Sequence, residues 1–295
     1  MTQPARRAPD AGLLARAPSG GLVIAAIASV QLGGALAVHL FSWVGPSGAV
    51  ALRILFAAAV LMVISPPRLG GRALRGLPLA AAFGLVLAGM NLSFYGALHR
   101  IPLGIAVSLE FVGPLVVAVA GSRRPVDLIW IALAAGGILA LTRGGAQPIS
   151  GIGVALALFA GCLWGAYILL SARVGRAFQS GAGLTLALCV AAVVTLPVGL
   201  ATAGSHLVEP RALALGALIG ILSSAIPYSF ELEALRRIAP PVFGVLMSLE
   251  PAMAALAGLV VLGQSLSARA VLGIALVVSA SVGASLRARR APRDI

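Results

Sequence analysis

Residues 100–114 of this chain read RIPLGIAVSLEFVGP and place one carboxyl group, Glu110, inside an apolar run that continues to Gly121. A similar pattern returns later, where residues 248–251 read SLEP and place Glu250 beside another apolar run. A charged side chain at the centre of a membrane-length segment costs about 2.5–3.5 kcal/mol on insertion scales, so a carboxyl group kept there usually serves a function. The two stretches therefore predict a membrane protein with carboxyl groups at its functional centre.

The composition also indicates a membrane protein. Of the 295 residues, 60% are hydrophobic and only 10% are charged, against about 25% charged residues in an average soluble domain. Because one helical crossing needs about 20 apolar residues, the chain has room for roughly ten crossings. Almost nothing is left for a domain outside the lipid bilayer.

The apolar runs predict an all-α membrane protein with ten transmembrane helices. A β-barrel is the other fold that spans membranes, but these runs are continuously apolar and lack the alternation of a barrel strand. The expected spans are 21–41, 46–65, 76–98, 101–121, 126–142, 151–172, 182–203, 212–235, 241–262 and 268–286.

The net charge of +13 comes from 21 arginines and no lysine, against eight acidic residues. A basic balance can indicate nucleic-acid binding, but these arginines lie in short loops between apolar runs, as in the cytoplasmic loops of membrane proteins. We therefore expect no nucleic-acid partner. With a cytoplasmic N-terminus, 16 arginines fall inside, four fall outside and Arg53 lies within the second span. Both terminal tails, 1–20 and 287–295, are thus predicted to be cytoplasmic.

The two halves of the chain resemble each other. ALHRI at 97–101 matches ALRRI at 234–238 with an offset of 137, and SLE recurs at 108–110 and 248–250 with an offset of 140. These matches predict two five-helix repeats, residues 21–147 and residues 148–286. Because five is odd, the second repeat must be inverted, as in many secondary transporters whose substrate site lies between the repeats.

Glu110 is the first candidate for a functional group, because it lies about ten residues into the fourth span. A buried carboxyl group can bind and release a proton near neutral pH. The alternative is a permanent ion pair with Arg53. That arginine could equally contact a substrate carboxylate or extend to the membrane interface.

Two further carboxyl groups are candidates. Glu250 is followed at once by Pro251, and a proline in a helix interior removes a hydrogen bond and kinks the helix. The kink either opens a carbonyl beside Glu250 or only serves packing. Glu231 lies one turn beyond Tyr228 on the eighth span and is expected to face the same cavity.

Polar side chains at helical spacing complete the predicted cavity, although each alone could be an interhelical hydrogen bond. They are Asn91 and Tyr95 in the third span, Ser224 and Tyr228 in the eighth, Gln31 in the first and Trp164 in the sixth.

No metal or other cofactor is expected. His39, His99 and His206 lie near span ends and form no cluster in the sequence. Cys162 and Cys189 both fall inside predicted spans, where cysteine packs as a small apolar residue.

Four groups of motifs stand out in the sequence. They are PLGIAV at 102–107 with LEF and GP at 109–114, SRRPVD at 122–127, PYS at 227–229 before Glu231, and FG at 243–244 before LMSLEPAMAA at 246–255. With these motifs the chain resembles, along nearly its whole length, the ten-helix EamA-type branch of the drug/metabolite transporter superfamily. Within that branch it is most similar to bacterial inner-membrane threonine/homoserine exporters and, more distantly, to aromatic amino-acid exporters.

This resemblance implies export of amino acids and related metabolites from the cytoplasm, in exchange for protons. It also implies cavity or coupling roles for Arg53, Glu110, Tyr228, Glu231 and Glu250. An exporter of another metabolite or drug and an uncoupled facilitator are the alternatives within transport.

A membrane-embedded enzyme is a third alternative, disfavoured because no histidine lies near Glu110 or Glu250 in the sequence. The protein is expected to act as a monomer or a homodimer. One departure from the family pattern is Gln264, where many relatives have a glutamate, and it weakens any mechanism that needs a carboxylate there.

Overall fold

The computed structural model of the protein describes residues 18–67, 71–120, 128–142, 149–178, 181–235, 237–238 and 240–288. These residues are almost entirely helical and contain no β-strand. The all-α prediction is therefore confirmed. Most of the two predicted tails, residues 1–17 and 289–295, lies outside the described residues.

The helices are numbered along the chain, with a 3₁₀ turn at Gly204–Val208 and a π turn at Ile221–Ala225. They are α1 (Ser19–Ile64), α2 (Gly71–Leu98), α3 (Leu103–Glu110), α4 (Val112–Ala120), α5 (Leu128–Thr142), α6 (Gly151–Ala177), α7 (Ala182–Ala203), α8 (Pro210–Gly220), α9 (Ile226–Leu235), α10 (Pro240–Met247), α11 (Glu250–Leu262) and α12 (Ala268–Ala288).

The length and composition of these helices are those of a multi-pass membrane protein. In the described part of the chain, five helical stretches are long and apolar enough to cross a membrane: Ser19–Ile64, Arg75–Leu98, Gly151–Ala177, Ala182–Val208 and Val245–Leu262. Shorter apolar helices lie in the other predicted spans. The total of ten crossings stays a prediction.

The first two predicted spans form one helical element that breaks sharply inside. Gly45 has φ 67° and ψ 173°, a backbone conformation that glycine adopts without steric cost. Pro46 follows directly, and proline suits the first turn of a new helix because its missing N–H needs no partner there. The break therefore divides α1 where the sequence predicts the boundary between two spans.

Proline also interrupts the fourth and ninth predicted spans, each of which was expected to be one helix. Because proline has no N–H, the carbonyl four residues earlier loses its helical partner. Pro114 leaves the Glu110 carbonyl without its helical partner, and α3 ends at Glu110. Pro251 does the same to the Met247 carbonyl, and α10 ends at Met247. Each span is consequently built from two short helices.

Helices from the two halves of the chain pack against one another. Helix α1 contacts α7, α8 and α9, helix α2 contacts α6 and α7, and α3 contacts α11. Glycine allows the closest approach: a Cβ on Gly161 of α6 would lie only 2.6 Å from the Glu110 carbonyl oxygen. This packing places the end of α3 at the centre of the molecule.

Candidate functional site

The helices enclose a central cavity of about 270 Å³. Its wall is drawn from both halves of the chain, and nine of the ten candidate residues named from the sequence line it. They are Gln31, Arg53, Asn91, Tyr95, Glu110, Trp164, Ser224, Glu231 and Glu250. The tenth, Tyr228, belongs to α9, and its side chain lies outside the part of the structure that is described.

Arg53 reaches the cavity from the second part of α1 and is held by neutral groups of α2. Its Nη1 donates to Asn91 Oδ1 at 2.7 Å and to the Tyr95 hydroxyl at 3.3 Å. Asn91 Nδ2 in turn donates to the Leu87 carbonyl at 2.9 Å, which fixes the amide so that its oxygen faces Arg53. The guanidinium carbon also lies 5.6 Å from the centroid of the Tyr95 ring.

The permanent ion pair between Arg53 and Glu110, which the sequence left open, is not formed. No ion pair joins Arg53 to Glu110, and the ion pair of His206 with Glu209 lies outside the cavity. The guanidinium makes its two hydrogen bonds through Nη1 alone. Its Nη2 and Nε donors are therefore available to a substrate.

Glu110 lies at the C-terminal end of a helix and Glu250 at the N-terminal end of another. Glu110 is the last residue of α3 and is 8% exposed, whereas Glu250 is the first residue of α11 and is 6% exposed. The helix is interrupted between Met247 and Glu250, next to the kink expected from Pro251. Pro251 lies in the first turn of α11, where proline is well tolerated, and the interruption precedes Glu250.

Glu231 adds a third carboxyl group from α9 and is only partly buried. The described part of the cavity wall thus carries three carboxyl groups and one guanidinium group. Carboxylates accept hydrogen bonds and a guanidinium donates them. Such a wall can bind a ligand that has both an ammonium and a carboxylate group.

Aromatic rings shape the cavity next to these charges. Trp164 of α6 packs edge-on against Phe111, with ring centroids 5.3 Å apart, and Tyr167 stacks on Phe83 at 5.0 Å. Tyr167 lines the cavity but was not a candidate from the sequence. Its position three residues after Trp164, on the same helix face, is the signal that could have found it.

Ser223 is a second cavity residue that sequence reasoning missed. It precedes Ser224 within the π turn, and successive residues of an α-helix do not share a face. Only the local backbone geometry brings both serines to the cavity.

Gln264 lies away from the cavity, in the loop after α11. Its Oε1 accepts a hydrogen bond from the Leu103 backbone N–H at 3.0 Å, at the start of α3. The first N–H groups of a helix lack partners within it. Gln264 therefore caps a helix, and the absence of a carboxylate there leaves the cavity chemistry intact.

A cavity that carries charged side chains between apolar membrane helices is the architecture of a small-molecule transporter. The family model of the EamA-like transporter family matches residues 151–286. The threonine/homoserine exporter RhtA of Salmonella typhimurium (strain LT2) is 42% identical over 276 residues, which are 92% of this chain and 92% of that protein. The chain belongs to the EamA-like transporter family and is a transporter, not an enzyme.

Two further comparisons agree with this assignment. The threonine/homoserine exporter RhtA of Escherichia coli (strain K12) is 41% identical over 273 residues, covering 91% of this chain and 92% of that protein. One solved crystal structure aligns with a TM-score of 0.61 and 20% identity, over 92% of this chain and 98% of that chain. The family resemblance noted from the sequence motifs is thereby confirmed.

Proposed function

We propose that this protein lies in the bacterial inner membrane and exports threonine, homoserine and related amino acids from the cytoplasm in exchange for protons. The curated relatives support the substrates, since they are threonine/homoserine exporters that match more than nine-tenths of this chain. The observation that carries the proposal is the charge of the cavity. One guanidinium and three carboxyl groups surround a volume of about 270 Å³.

These groups suit the two ends of an amino acid. A zwitterion that leaves water needs donors for its carboxylate and acceptors for its ammonium group. The Nη2 and Nε donors of Arg53 form the planar fork that binds a carboxylate through two parallel hydrogen bonds. The ammonium group is then received by a cavity glutamate. The volume lies just below the range of about 300–1,000 Å³ usual for pockets of drug-sized ligands, as expected for a smaller substrate.

The carboxyl groups also provide a place for a coupling proton. Three carboxylates that face one guanidinium in the same cavity repel one another. Binding a proton relieves this repulsion when the cavity is empty, and an arriving ammonium group relieves it in the proton's place. Glu110 is the proposed coupling group, because it is buried in the packed centre, against the backbone of Gly161.

Alternating access is proposed to arise from movement between two inverted repeats, 21–147 and 148–286. In such a relation the first, second and third spans exchange with the sixth, seventh and eighth. The contact of α2 with α6 then corresponds to the contact of α9 with the first part of α1. The contact of α2 with α7 corresponds to the contact of α8 with the second part of α1. Leu22 packs with Ala234 of α9, and Leu52 packs against Gly216 of α8.

The proposed orientation places both termini in the cytoplasm, following the arginine distribution. Two repeats can form a complete pathway within one chain, so the transporter is proposed to work as a monomer or as a homodimer of complete units.

The test is efflux of labelled threonine from proteoliposomes, with the outside either at the internal pH or more acidic. The wild type is expected to release threonine faster into the acidic medium, because proton entry drives amino-acid exit. Glu110→Gln should lose this acceleration. Glu209→Gln is the matched control, since Glu209 is exposed, pairs with His206 and lies outside the cavity.

Each contrary outcome corrects a different part of the proposal. Threonine release no faster than from empty liposomes would remove the amino-acid assignment. Release that ignores the pH gradient would identify an uncoupled facilitator. An unchanged gradient response in Glu110→Gln would assign the coupling proton to another group.

A further inference from the structure

Two consecutive serines, Ser223 and Ser224, line the cavity from the π turn between α8 and α9. Each is only 7% exposed. The Ser223 hydroxyl is buried without a hydrogen-bond partner among the described residues, and Ser224 lines the cavity beside it. A buried hydroxyl left unpaired lowers stability, so its presence calls for an explanation.

Several other hydroxyls in the helices of this protein donate to the carbonyl four residues earlier, which is the usual solution inside a helix. The examples are Ser108 to Gly104 at 2.6 Å, Thr142 to Ile138 at 2.8 Å, Thr195 to Ala191 at 2.8 Å and Thr202 to Val198 at 2.9 Å. Ser223 differs from these residues because its buried hydroxyl makes no such bond.

The π turn explains the difference. The Ile226 N–H bonds to the Ile221 carbonyl, five residues back, so the helix is locally widened. Pro227 has no N–H and therefore cannot donate the usual helical hydrogen bond to the Ser223 carbonyl. Turns of this kind occur inside α-helices and are frequent at functional sites.

Helix α1 holds the π turn in place from the other half of the chain. Ser29 Oγ donates to the Leu222 carbonyl at 2.7 Å, satisfying a carbonyl of the turn. Gly33 lies against Ser223, and a Cβ at Gly33 would collide with the Ser223 hydroxyl. Because Gly33 has no side chain, the backbone of α1 can lie directly against the π turn.

We propose that Ser223 and Ser224 form a subsite for the side-chain hydroxyl of the exported amino acid. This assignment rests on the proposed function, and the ligand class is an α-amino acid that carries a hydroxyl group, such as threonine or homoserine. Arg53 and the glutamates bind the α-carboxylate and α-ammonium groups common to all amino acids. The serine pair distinguishes hydroxy amino acids from apolar ones of the same size.

The chemistry of the pair matches that ligand. A hydroxyl group donates one hydrogen bond and accepts others, and so does each serine. Ser224 meets the ligand directly, while Ser223 turns from Gly33 towards the cavity by moving between staggered χ1 rotamers. An analogue without the hydroxyl leaves the buried serines unpaired, which is the strongest way for a site to reject it.

The experiment compares efflux of threonine with efflux of 2-aminobutyrate, which is the analogue of both threonine and homoserine that lacks the hydroxyl. The variants are Ser223→Ala, Ser224→Ala and the double variant, in proteoliposomes at equal protein content. Ser93→Ala is the matched control, because Ser93 is also buried in a helix but does not line the cavity. The melting temperature of each purified variant is measured in detergent, with and without threonine.

We expect the preference of the wild type for threonine over 2-aminobutyrate to fall about 3–10-fold in the double variant, the loss typical of one hydrogen bond. Efflux of 2-aminobutyrate should not decline. Without substrate, the melting temperature should stay level or rise, since no structural hydrogen bond is lost. The stabilisation that threonine confers on the wild type should shrink, and Ser93→Ala should keep the wild-type preference.

An unchanged preference in a double variant that still exports threonine would overturn the hydroxyl subsite and leave the proposed function standing. A parallel loss of both substrates with a lower melting temperature would show a structural role instead. A wild type that moves neither threonine nor homoserine would refute the proposed function, and the subsite with it.

Discussion

The fourth and ninth spans contain the same three residues, Ser-Leu-Glu, yet the structure uses them differently. In the fourth span Pro114 comes four residues after Glu110, so the helix ends at the glutamate itself. In the ninth span Pro251 follows Glu250 directly, so the interruption comes before the glutamate. One carboxyl group therefore closes a helix and the other opens one.

The electrostatic consequence follows from the direction of the peptide dipoles. The N-terminal end of a helix favours negative charge and the C-terminal end opposes it. The helix end at Glu250 therefore favours a negative charge more than the helix end at Glu110 does, and Glu110 stays our proposed site of proton exchange. Residues that match in two repeats need not share a role, because the position of one proline decides which helix end each occupies.

The largest expected effect separates the two glutamates. Glu110→Gln should abolish the acceleration of threonine efflux by an acidic exterior, whereas Glu250→Gln should keep that acceleration. Glu250→Gln should instead weaken threonine binding about 10–100-fold, because a hydrogen bond to a charged group is lost. Threonine binding is measured by titration in detergent. Identical behaviour of the two variants would contradict different roles for Glu110 and Glu250.

A second effect concerns the packing that surrounds Glu110. Gly161→Ala would place a Cβ 2.6 Å from the Glu110 carbonyl oxygen, and overpacking of this kind costs about 1–3 kcal/mol. A clear drop in melting temperature is expected. Gly175→Ala on the same helix is the control, since no atom lies within 4 Å of its Cβ position. Equal melting temperatures for the two variants would contradict the close contact between α6 and the end of α3.

A third effect tests the origin of the two interruptions. Pro114→Ala supplies an N–H for the Glu110 carbonyl and should stabilise the protein by about 1 kcal/mol, while slowing gradient-driven efflux. Pro251→Ala supplies an N–H for the Met247 carbonyl in the same way and should give a gain of similar size. Thermal unfolding of both variants measures the two gains, and a gain in neither variant would contradict the assignment of the interruptions to proline.

The smallest effect lies at the far end of the same helix pair. Gln264→Leu removes the acceptor for the Leu103 N–H and should cost about 0.5–1 kcal/mol. Gln264→Glu keeps an acceptor and should leave the melting temperature near that of the wild type. Threonine efflux that falls sharply in Gln264→Leu while stability holds would indicate a part in transport beyond capping.

Much of this architecture could be predicted from the sequence. Polar residues in apolar spans have few places to go except a shared interior, and for this reason Gln31, Asn91 and Glu231 all reached the cavity. Helix positions followed from apolar runs of membrane length. The matched SLE stretches, with Arg53, correctly located the centre of the molecule.

The remaining features depend on contacts between distant segments. The sequence indicated a kink near Pro251 but not the residues at which α10 ends and α11 begins. Ser223 was missed because it reaches the cavity only through a π turn that α1 supports. An ion pair of Arg53 with Glu110 was one of the alternatives that the sequence left open, and the structure instead shows Arg53 held by Asn91 and Tyr95.

The hydrogen bond between Gln264 and Leu103 has a mechanical consequence. It joins the start of α3, in the first half of the chain, to the end of α11, in the second, and a Cβ on Gly104 would lie 2.7 Å from Ala255 Cα nearby. If these contacts are preserved, α3 can move only by tilting about its fixed N-terminal end. Helix α3 has eight residues, so its lever arm is about 10 Å at a rise of 1.5 Å per residue. A tilt of about 10° then shifts Glu110 by about 2 Å, enough to make or break a hydrogen bond while the anchored end stays still.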